Sequence, residues 1–208
     1  MPRRPRLEAP GAIHHVVVQA ASDGRLVVDD ADRLRFLDEL RRAALDNGWQ
    51  CVAYCVMATH VHLVVCTPNP NLSAGMAPFL GRYAHTFNRR HDRQGRLFRN
   101  RFWSRRVDRP HYLTCAALYA VLNPVAAGIC AHPCGYPWSS YGETVGGGGG
   151  DGLLEPGILL GALDDDSENA RQIYRGYVDD AVARLRERRS DEAWWRSVER
   201  AAATRATA

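Results

Sequence analysis

Hydrophobic and polar positions change their spacing several times along the first half of the chain, and each change marks a predicted element. Residues 12–19 are rich in valine and predict a first β-strand. A helix follows, because leucines then recur at three- and four-residue steps. Asp29 or Asp30 is expected to cap this helix, and Gly48 is expected to end it.

A hairpin and a second helix are predicted next. The apolar runs 51–57 and 61–66 are separated by only three residues, which is typical of two strands joined by a tight turn. Residues 72–91 return to helical spacing of their large apolar side chains, and Gly95 breaks that pattern. The arginine-rich segment 96–107 then predicts an extended strand.

Two further helices are predicted after this strand. Asp108 can cap the first of them, Pro110 suits its first turn, and Pro124 is expected to stop it. A run of five glycines at 146–150 predicts a flexible joint. Beyond it, residues 167–189 have the pattern of an amphipathic helix.

The order of the predicted elements indicates a fold class. Strand–helix–strand–strand–helix–strand is the order of the ferredoxin-like (RRM-like) α+β fold, an antiparallel sheet with helices on one face. The helix containing residues 111–122 is an addition to that unit. We therefore predict a domain at 10–142, a glycine-rich linker at 143–152 and a helical C-terminal extension at 153–208.

Composition places the chain among ordinary globular proteins. Of its 208 residues, 46% are hydrophobic and 24% are charged, which is enough apolar material for a core. No apolar run reaches the length of a transmembrane helix, and the basic amino terminus lacks the apolar stretch of a signal peptide. A cytoplasmic protein is expected.

Six cysteines raise the alternative of a zinc site made from two Cys-x3-Cys pairs. Neither pair has the tighter knuckle spacing, and the first pair lies in a predicted strand, so small buried side chains are the favoured interpretation. In a cytosolic protein all of them are expected to be reduced. They are Cys51, Cys55, Cys66, Cys115, Cys130 and Cys134.

Positive charge is concentrated in one segment. The formal net charge is only +4, but residues 82–109 hold ten arginines and two aspartates, a balance of +8 that leaves −4 for the rest. All 27 basic residues are arginine, whose planar guanidinium binds phosphate oxygens in a two-pronged way. This segregation favours a polyanionic partner over an ordinary solvated surface. The candidate contacts are Arg82, Arg89, Arg90, Arg93, Arg96, Arg99, Arg101, Arg105 and Arg106.

Two histidines interrupt the second strand of the hairpin. His60 and His62 are two residues apart and so point to the same face of the strand, together with Val64, while Val61 and Leu63 point to the other. If helices cover the second face, both imidazoles project from an open face and can chelate a divalent metal ion. The alternative is a pair of exposed polar residues, because chelation needs further ligands.

A nucleophile and a third ligand can be found on the added helix. Tyr119 and Asn123 are four residues apart and therefore lie on one helical face. An asparagine oxygen is a suitable hard ligand, and tyrosine can attack a phosphorus that a metal ion polarises. Separately, an ordinary half-buried aromatic residue and a helix-terminal cap are the simpler interpretations. Their coincidence with the histidines and the arginines favours a site.

Four segments in order resemble the HUH single-tyrosine transposases and, within them, the REP-associated tyrosine transposases. The segments read YCVMATHVHLVV, TFNRRHDRQGRLFRNRF, LYAVLNPVAAGI and YPWSSY. The resemblance extends over roughly two thirds of the chain, and the ordered set is far more specific than His-x-His alone. The family usually has Pro-Asn where Ala58 and Thr59 stand, and Arg-Gly where Gln19 and Ala20 stand.

The resemblance implies a reaction and its residues. It assigns the metal ligands to His60, His62 and Asn123, the nucleophile to Tyr119, and the metal to Mg²⁺ or Mn²⁺. The expected substrate is single-stranded DNA with an imperfect, REP-like hairpin. Cleavage is expected to leave a 5′-phosphotyrosine and a free 3′-hydroxyl that can attack in reverse. The REP-associated branch suggests a monomer rather than a dimer, and it implies a bacterial protein that is associated with the nucleoid when bound.

Two functions from other classes compete with a transposase-like strand transferase. One is a ferredoxin-like nucleic-acid-binding regulator without cleavage, although such sheets normally stack bases on aromatic residues, and the histidine face is expected to carry imidazoles and aliphatic residues instead. The other is a metal-dependent hydrolase of small phosphoesters, which leaves the arginines unexplained.

Overall fold

The computed structural model describes residues 8–21, 24–147 and 152–187. The elements run in the order β1 (Ala12–Gln19), α1 (Asp30–Asn47), β2 (Gln50–Val56), β3 (His60–Thr67), α2 (Leu72–Arg90), β4 (Trp103–Val107), α3 (Pro110–Ala126), a 3₁₀ turn (Pro133–Gly135), α4 (Tyr141–Gly146), α5 (Gly157–Leu160) and α6 (Ser167–Glu187).

The four strands form one antiparallel sheet in the order β2-β3-β1-β4. This is the predicted α+β fold, and the element order through β4 is as predicted. In the register of the sheet, His62 of β3 lies opposite Val17 of β1, and Val17 lies opposite Trp103 of β4. His15 of β1 lies opposite Arg105 of β4. These pairings decide which side chains meet at one end of the sheet.

One face of the sheet packs against α1 and α2, as the alternation in β3 predicts. Val61 and Leu63 are fully buried there with Phe36 of α1 and Phe79 of α2, whose rings lie 5.1 Å apart. Burying side chains of this size contributes about 1.5–3 kcal/mol each to folding. The predicted ends of α1 are confirmed, because the Asp29 carboxylate accepts a hydrogen bond from the Asp32 amide at 3.1 Å and Gly48 ends the helix in the left-handed conformation.

The opposite face, which carries the two histidines, is not open, so that expectation was wrong. Val64 is fully buried beneath α3, in a core that includes Val121 of α3 and Tyr174 of α6. The physical reason lies in α3, whose sequence is apolar on almost every side. Such a helix is stable only when it is covered on both sides, here by the sheet and by α6.

The predicted segment bounds need two corrections. The strand expected at 96–107 covers only Trp103–Val107; before it, Leu97 is buried in the core and Phe98 forms an isolated bridge with Ala20. Pro124 does not stop α3, because a proline in the last turn costs little when the amides after it still find partners. The amide of Ala127 donates to Asn123 O at 2.9 Å, and Gly128 then turns the chain.

The C-terminal elements pack onto the second face. Residues 143–146 of the predicted linker belong to α4, whereas the glycines at 148–150 lie outside the described residues. Helix α6 contributes Val178 and Val182 to the same core as α3. The predicted extension from 188 onward also lies outside the described residues. In the described part of the chain, no helix is long and apolar enough to span a membrane.

Candidate functional site

Four predicted site residues meet at one end of the second face of the sheet. His60 and His62 come from the start of β3, and Tyr119 and Asn123 come from the last turns of α3. The His60 Nε2 atom lies 3.2 Å from Asn123 Oδ1, and the rings of His62 and Tyr119 are 5.0 Å apart between centroids. The structure therefore brings together side chains that are about 60 residues apart in sequence.

His60 is held at both ring nitrogens. Its Nδ1 lies 3.1 Å from Thr59 Oγ1, and its Nε2 faces Asn123, whose own amide donates to the Tyr119 carbonyl at 2.6 Å. Thr59 occupies the position where the transposase family that the sequence resembles usually has asparagine. Its hydroxyl can both donate and accept, so it can support either tautomer of the ring. Because Asn123 Oδ1 can only accept, His60 Nε2 donates to it in this structure, and a shift of the proton to Nδ1, which would then donate to Thr59, would free Nε2 to bind a metal ion.

His62 is almost completely buried and has a third histidine as its partner. His62 Nδ1 lies 3.1 Å from His15 Nε2, and the two rings stack with centroids 5.4 Å apart. The ring of Tyr119 meets His15 edge-on at 5.6 Å. Sequence reasoning missed His15, because its place depends on the register between β1 and β3. Histidines that bind metals are commonly oriented through their second nitrogen in this way.

Burial keeps these imidazoles neutral near pH 7. It lowers the pKa of His60, although the hydrogen bond that His60 donates to Asn123 Oδ1 partly opposes this. It also lowers the pKa of His62 well below the usual value, with His15 and His60 adding to the effect. Burial, with a smaller contribution from Arg105, lowers the pKa of His15 to about 4. A neutral imidazole offers the lone pair that a metal ion or a proton needs.

The neutral histidines predict a pH-dependent stability. Because His15 has a folded pKa of about 4 and an unfolded pKa near 6.5, the unfolded chain takes up the proton first as the pH falls. The contribution of His15 to the unfolding free energy is therefore greatest above about pH 6.5, and it is lost as the pH falls from 6.5 to 4. We expect His15→Asn to remove about 1–2 kcal/mol of the loss in unfolding free energy between pH 7 and 5, measured by urea titration in EDTA. An unchanged loss in the variant would contradict the neutral state of His15.

His60, His62 and Asn123 could supply three of the ligands that a hard divalent cation needs, but not all of them. Within the described ranges, no three side chains drawn from His, Cys, Asp and Glu form a group that could hold a metal ion. A cation here would bind two imidazoles and the Asn123 amide oxygen, with water or phosphate oxygens completing its coordination, as Mg²⁺ commonly does. The zinc alternative gains no support, because Cys51 and Cys55 are fully buried in β2 and all six cysteines are free thiols.

The other tyrosines near the predicted site are placed differently. Tyr83 lies in the core between α1 and α2, where its hydroxyl donates to the Leu26 carbonyl and burial raises the pKa of its phenol. Tyr112 is exposed near the start of α3, about two turns before Tyr119. Tyr119 is therefore the tyrosine of α3 that lies beside the histidines.

Some of the predicted DNA-binding arginines are paired with carboxylates: these include Arg82, Arg90 and Arg106. Arg82 Nε lies 2.7 Å from the buried Glu39, which ties α2 to α1. Arg90 forms ion pairs with both Asp29 and Asp32, so it links the end of α2 to the start of α1. Arg106 pairs with Asp108. These pairs were not predicted, because each of the first two joins residues more than 40 positions apart.

A second group of the predicted arginines borders the histidines. The amide of Arg99 donates to the Gln19 carbonyl at 3.0 Å, and Gln19 is the register partner of His60. Arg101 is exposed just before β4, and Arg105 lies opposite His15. The remaining three, Arg89, Arg93 and Arg96, lie at the end of α2 and in the turn that follows it; Arg89 and Arg96 are exposed, and Arg93 packs over the ring of Phe87.

The histidine face also carries an aromatic residue, contrary to expectation. Trp103 at the start of β4 is 47% exposed, and its ring meets the His15 ring edge-on at 5.7 Å. The sequence did not reveal it, because β4 was predicted to begin seven residues earlier. The residues of β1 that lie beside Trp103 could therefore not be identified.

Comparison with known proteins identifies what this arrangement resembles. Residues 11–108 match the model of the family described as IS200-like transposases. The fold matches a solved structure of a REP-associated tyrosine transposase bound to a REP hairpin, with a TM-score of 0.61 and 18% identity over 75% of this chain and 90% of that one. No curated protein sequence matches the chain. The predicted resemblance is thus confirmed, and the structural match confirms the fold.

Proposed function

We propose, from the match of residues 11–108 to the IS200-like transposase family, that this chain cleaves and rejoins single-stranded DNA through a covalent tyrosine intermediate. The family match and the fold support a transposase-like, DNA-processing role. One observation carries the finer proposal: Tyr119 and Asn123 of α3 face His60 and His62 of β3 within hydrogen-bonding and ring-contact distance.

The Tyr119 hydroxyl is the proposed nucleophile. Its oxygen attacks the phosphorus of a phosphodiester, the bond between phosphorus and the 3′ oxygen breaks, and a 5′-phosphotyrosine forms while the 3′ oxygen gains a proton. In net terms the proton passes from the tyrosine hydroxyl to the 3′ oxygen, so the step needs no other reactant. Reverse attack by a 3′-hydroxyl restores a phosphodiester and frees the tyrosine, so no external energy source is consumed.

The polar residues around Tyr119 have separate proposed roles. His60, His62 and Asn123 would hold Mg²⁺ or Mn²⁺, which polarises the phosphorus and orients the phosphate when bound. Thr59 and His15 fix the two imidazole rings through their second nitrogens. The buried surroundings exclude water from the ring cluster and so favour attack by tyrosine over hydrolysis.

The proposed substrate is single-stranded DNA with an imperfect hairpin. The solved relative in this fold carries a REP hairpin, and the arginines beside β1 and β4 give this end of the sheet a positive charge. The proposed acting unit is a monomer, as in the REP-associated branch that the sequence resembles. A gel assay for a covalent protein–DNA adduct with hairpin DNA tests the proposal.

We expect binding to single-stranded DNA to weaken with salt. The logarithm of the association constant should fall against the logarithm of the salt concentration with a slope of about −0.7 per phosphate contact, so log Kd should rise by the same amount. Replacing Arg101 and Arg105 with glutamine removes two contacts, so the slope of log Kd against log salt should decrease by roughly 1.4, measured by fluorescence anisotropy.

Arg82→Gln is the matched control for this measurement. It removes one positive charge from the same predicted group, but Arg82 is paired with Glu39 in the body of the protein. The variant should lower stability and leave the salt slope unchanged. Equal slopes in all three proteins would place the DNA elsewhere.

A non-catalytic nucleic-acid-binding module is the second candidate. The exposed Trp103 on the histidine face favours it, because sheet-borne aromatic residues commonly stack bases. The two candidates differ in one outcome, since only the first gives a covalent adduct.

A further inference from the structure

Trp103 stands out among the exposed apolar side chains because of its neighbours. Among the residues that the structure describes, the other large exposed ones lie on the helices or in loops, whereas Trp103 lies in the edge strand β4 and its ring contacts His15. His15 in turn contacts both His62 and Tyr119. Trp103 is thus separated from the proposed nucleophile by a single ring.

The sheet register fixes the distance between Trp103 and the site. Trp103 lies opposite Val17, and Val17 lies opposite His62, so the three residues form a row across adjacent strands. Two strand spacings give roughly 10 Å between the Trp103 and His62 backbones. A nucleotide whose phosphate reaches Tyr119 has its own or a neighbouring base within that distance.

The strand also combines this aromatic residue with positive charge. Trp103 and Arg105 are two residues apart and therefore share a face, and Arg101 is exposed just before the strand. Single-stranded nucleic acids are commonly bound by aromatic rings that stack bases beside basic groups that contact the backbone. The exposed indole and the neighbouring arginines meet both requirements.

We infer that Trp103 stacks on a base of single-stranded DNA next to the phosphate presented to Tyr119, with Arg105 and Arg101 along the same backbone. This inference rests on the proposed function for the identity of its partner. It assigns a base-contacting residue to a face where the sequence offered only imidazoles and aliphatic side chains. Stacking of this kind tolerates any base, so it positions the strand rather than reading its sequence.

Two labelled oligonucleotides of equal charge test the inference by anisotropy: a thymidine decamer, and a decamer of abasic units with the same phosphates. The wild type should bind the thymidine decamer more tightly. Trp103→Ala should weaken that binding about 5- to 100-fold and leave abasic binding unchanged, because one stacked base contributes that much. Trp103→Phe should restore most of the affinity.

Tyr177→Ala provides a matched control, since Tyr177 is an aromatic residue exposed to a similar extent (46%) on α6. It should alter neither affinity. Melting temperatures of all variants establish that each one is folded.

The outcomes separate the inference from the proposed function. Equal weakening on both decamers by Trp103→Ala, or no weakening on either, would overturn stacking. A wild type without preference for the thymidine decamer would do so too, even if it forms a covalent adduct with hairpin DNA. A wild type that prefers thymidine through Trp103 but forms no adduct would keep the inference and overturn strand cleavage.

Discussion

Tyr119→Phe is expected to abolish the covalent protein–DNA adduct while folding and hairpin binding persist. The substitution removes one hydroxyl and keeps the ring that packs against His15 and His62. Without that oxygen no phosphotyrosine can form, so the adduct band on a denaturing gel should fall below detection, a decrease of at least about 1,000-fold. Hairpin affinity, measured in parallel, should change less than about threefold.

The remaining tyrosines supply controls for this result. Tyr112→Phe changes an exposed residue on the same helix, and Tyr83→Phe removes a hydroxyl buried between α1 and α2. Both should keep the adduct, although Tyr83→Phe should lose about 1 kcal/mol of stability with its buried hydrogen bond. Peptide mapping of the trapped adduct gives the direct assignment. A phosphotyrosine at position 83 or 112 would contradict the site, and its absence everywhere would favour the binding module.

The second large effect is expected from His60→Ala and His62→Ala. Each removes one of two neutral imidazoles that face the Tyr119–Asn123 turn, so cleavage should fall by at least about 100-fold. Hairpin binding should persist, because the proposed phosphate contacts lie on other residues. Rates are measured on hairpin DNA with added Mg²⁺ or Mn²⁺, and again with EDTA.

His14→Ala is the matched control for the histidine variants. His14 is also buried in the sheet, next to His15 in sequence, but it points to the other face. Its loss should affect stability more than the cleavage rate per folded molecule. Full cleavage by the wild type in EDTA would remove the metal ion from the mechanism, and retained cleavage in His60→Ala would remove His60 from it.

Local sequence patterns predicted the fold well. The valine-rich run, the leucine spacing of α1 and its two caps depend on residues a few positions apart, and the structure has them as expected. The covered second face was not predicted, because the packing of α3 against the sheet depends on α6, about 50 residues further along the chain.

The candidate site divides in the same way. The spacing of His60 and His62, and of Tyr119 and Asn123, could be taken from the sequence, since each pair lies within one strand or one helix. That the two pairs meet was inferred from their coincidence in one sequence and from the family resemblance. His15 and Trp103 were not predicted, because no local pattern encodes the register of β1 against β3 or of β4 against β1. The pairing of Arg82 with Glu39 is equally non-local.

The position of α3 between the sheet and α6 has a mechanical consequence for strand exchange. Val121 and Leu122 of the helix are buried in the same core as Tyr174 and Val178 of α6, so the turn that carries Tyr119 cannot swing away without opening that core. A DNA end attached to Tyr119 would stay where it was cut. In the proposed reaction, the joining strand would have to travel to this fixed linkage, and the length of its single-stranded tether, rather than a movement of the protein, would limit which ends can be joined.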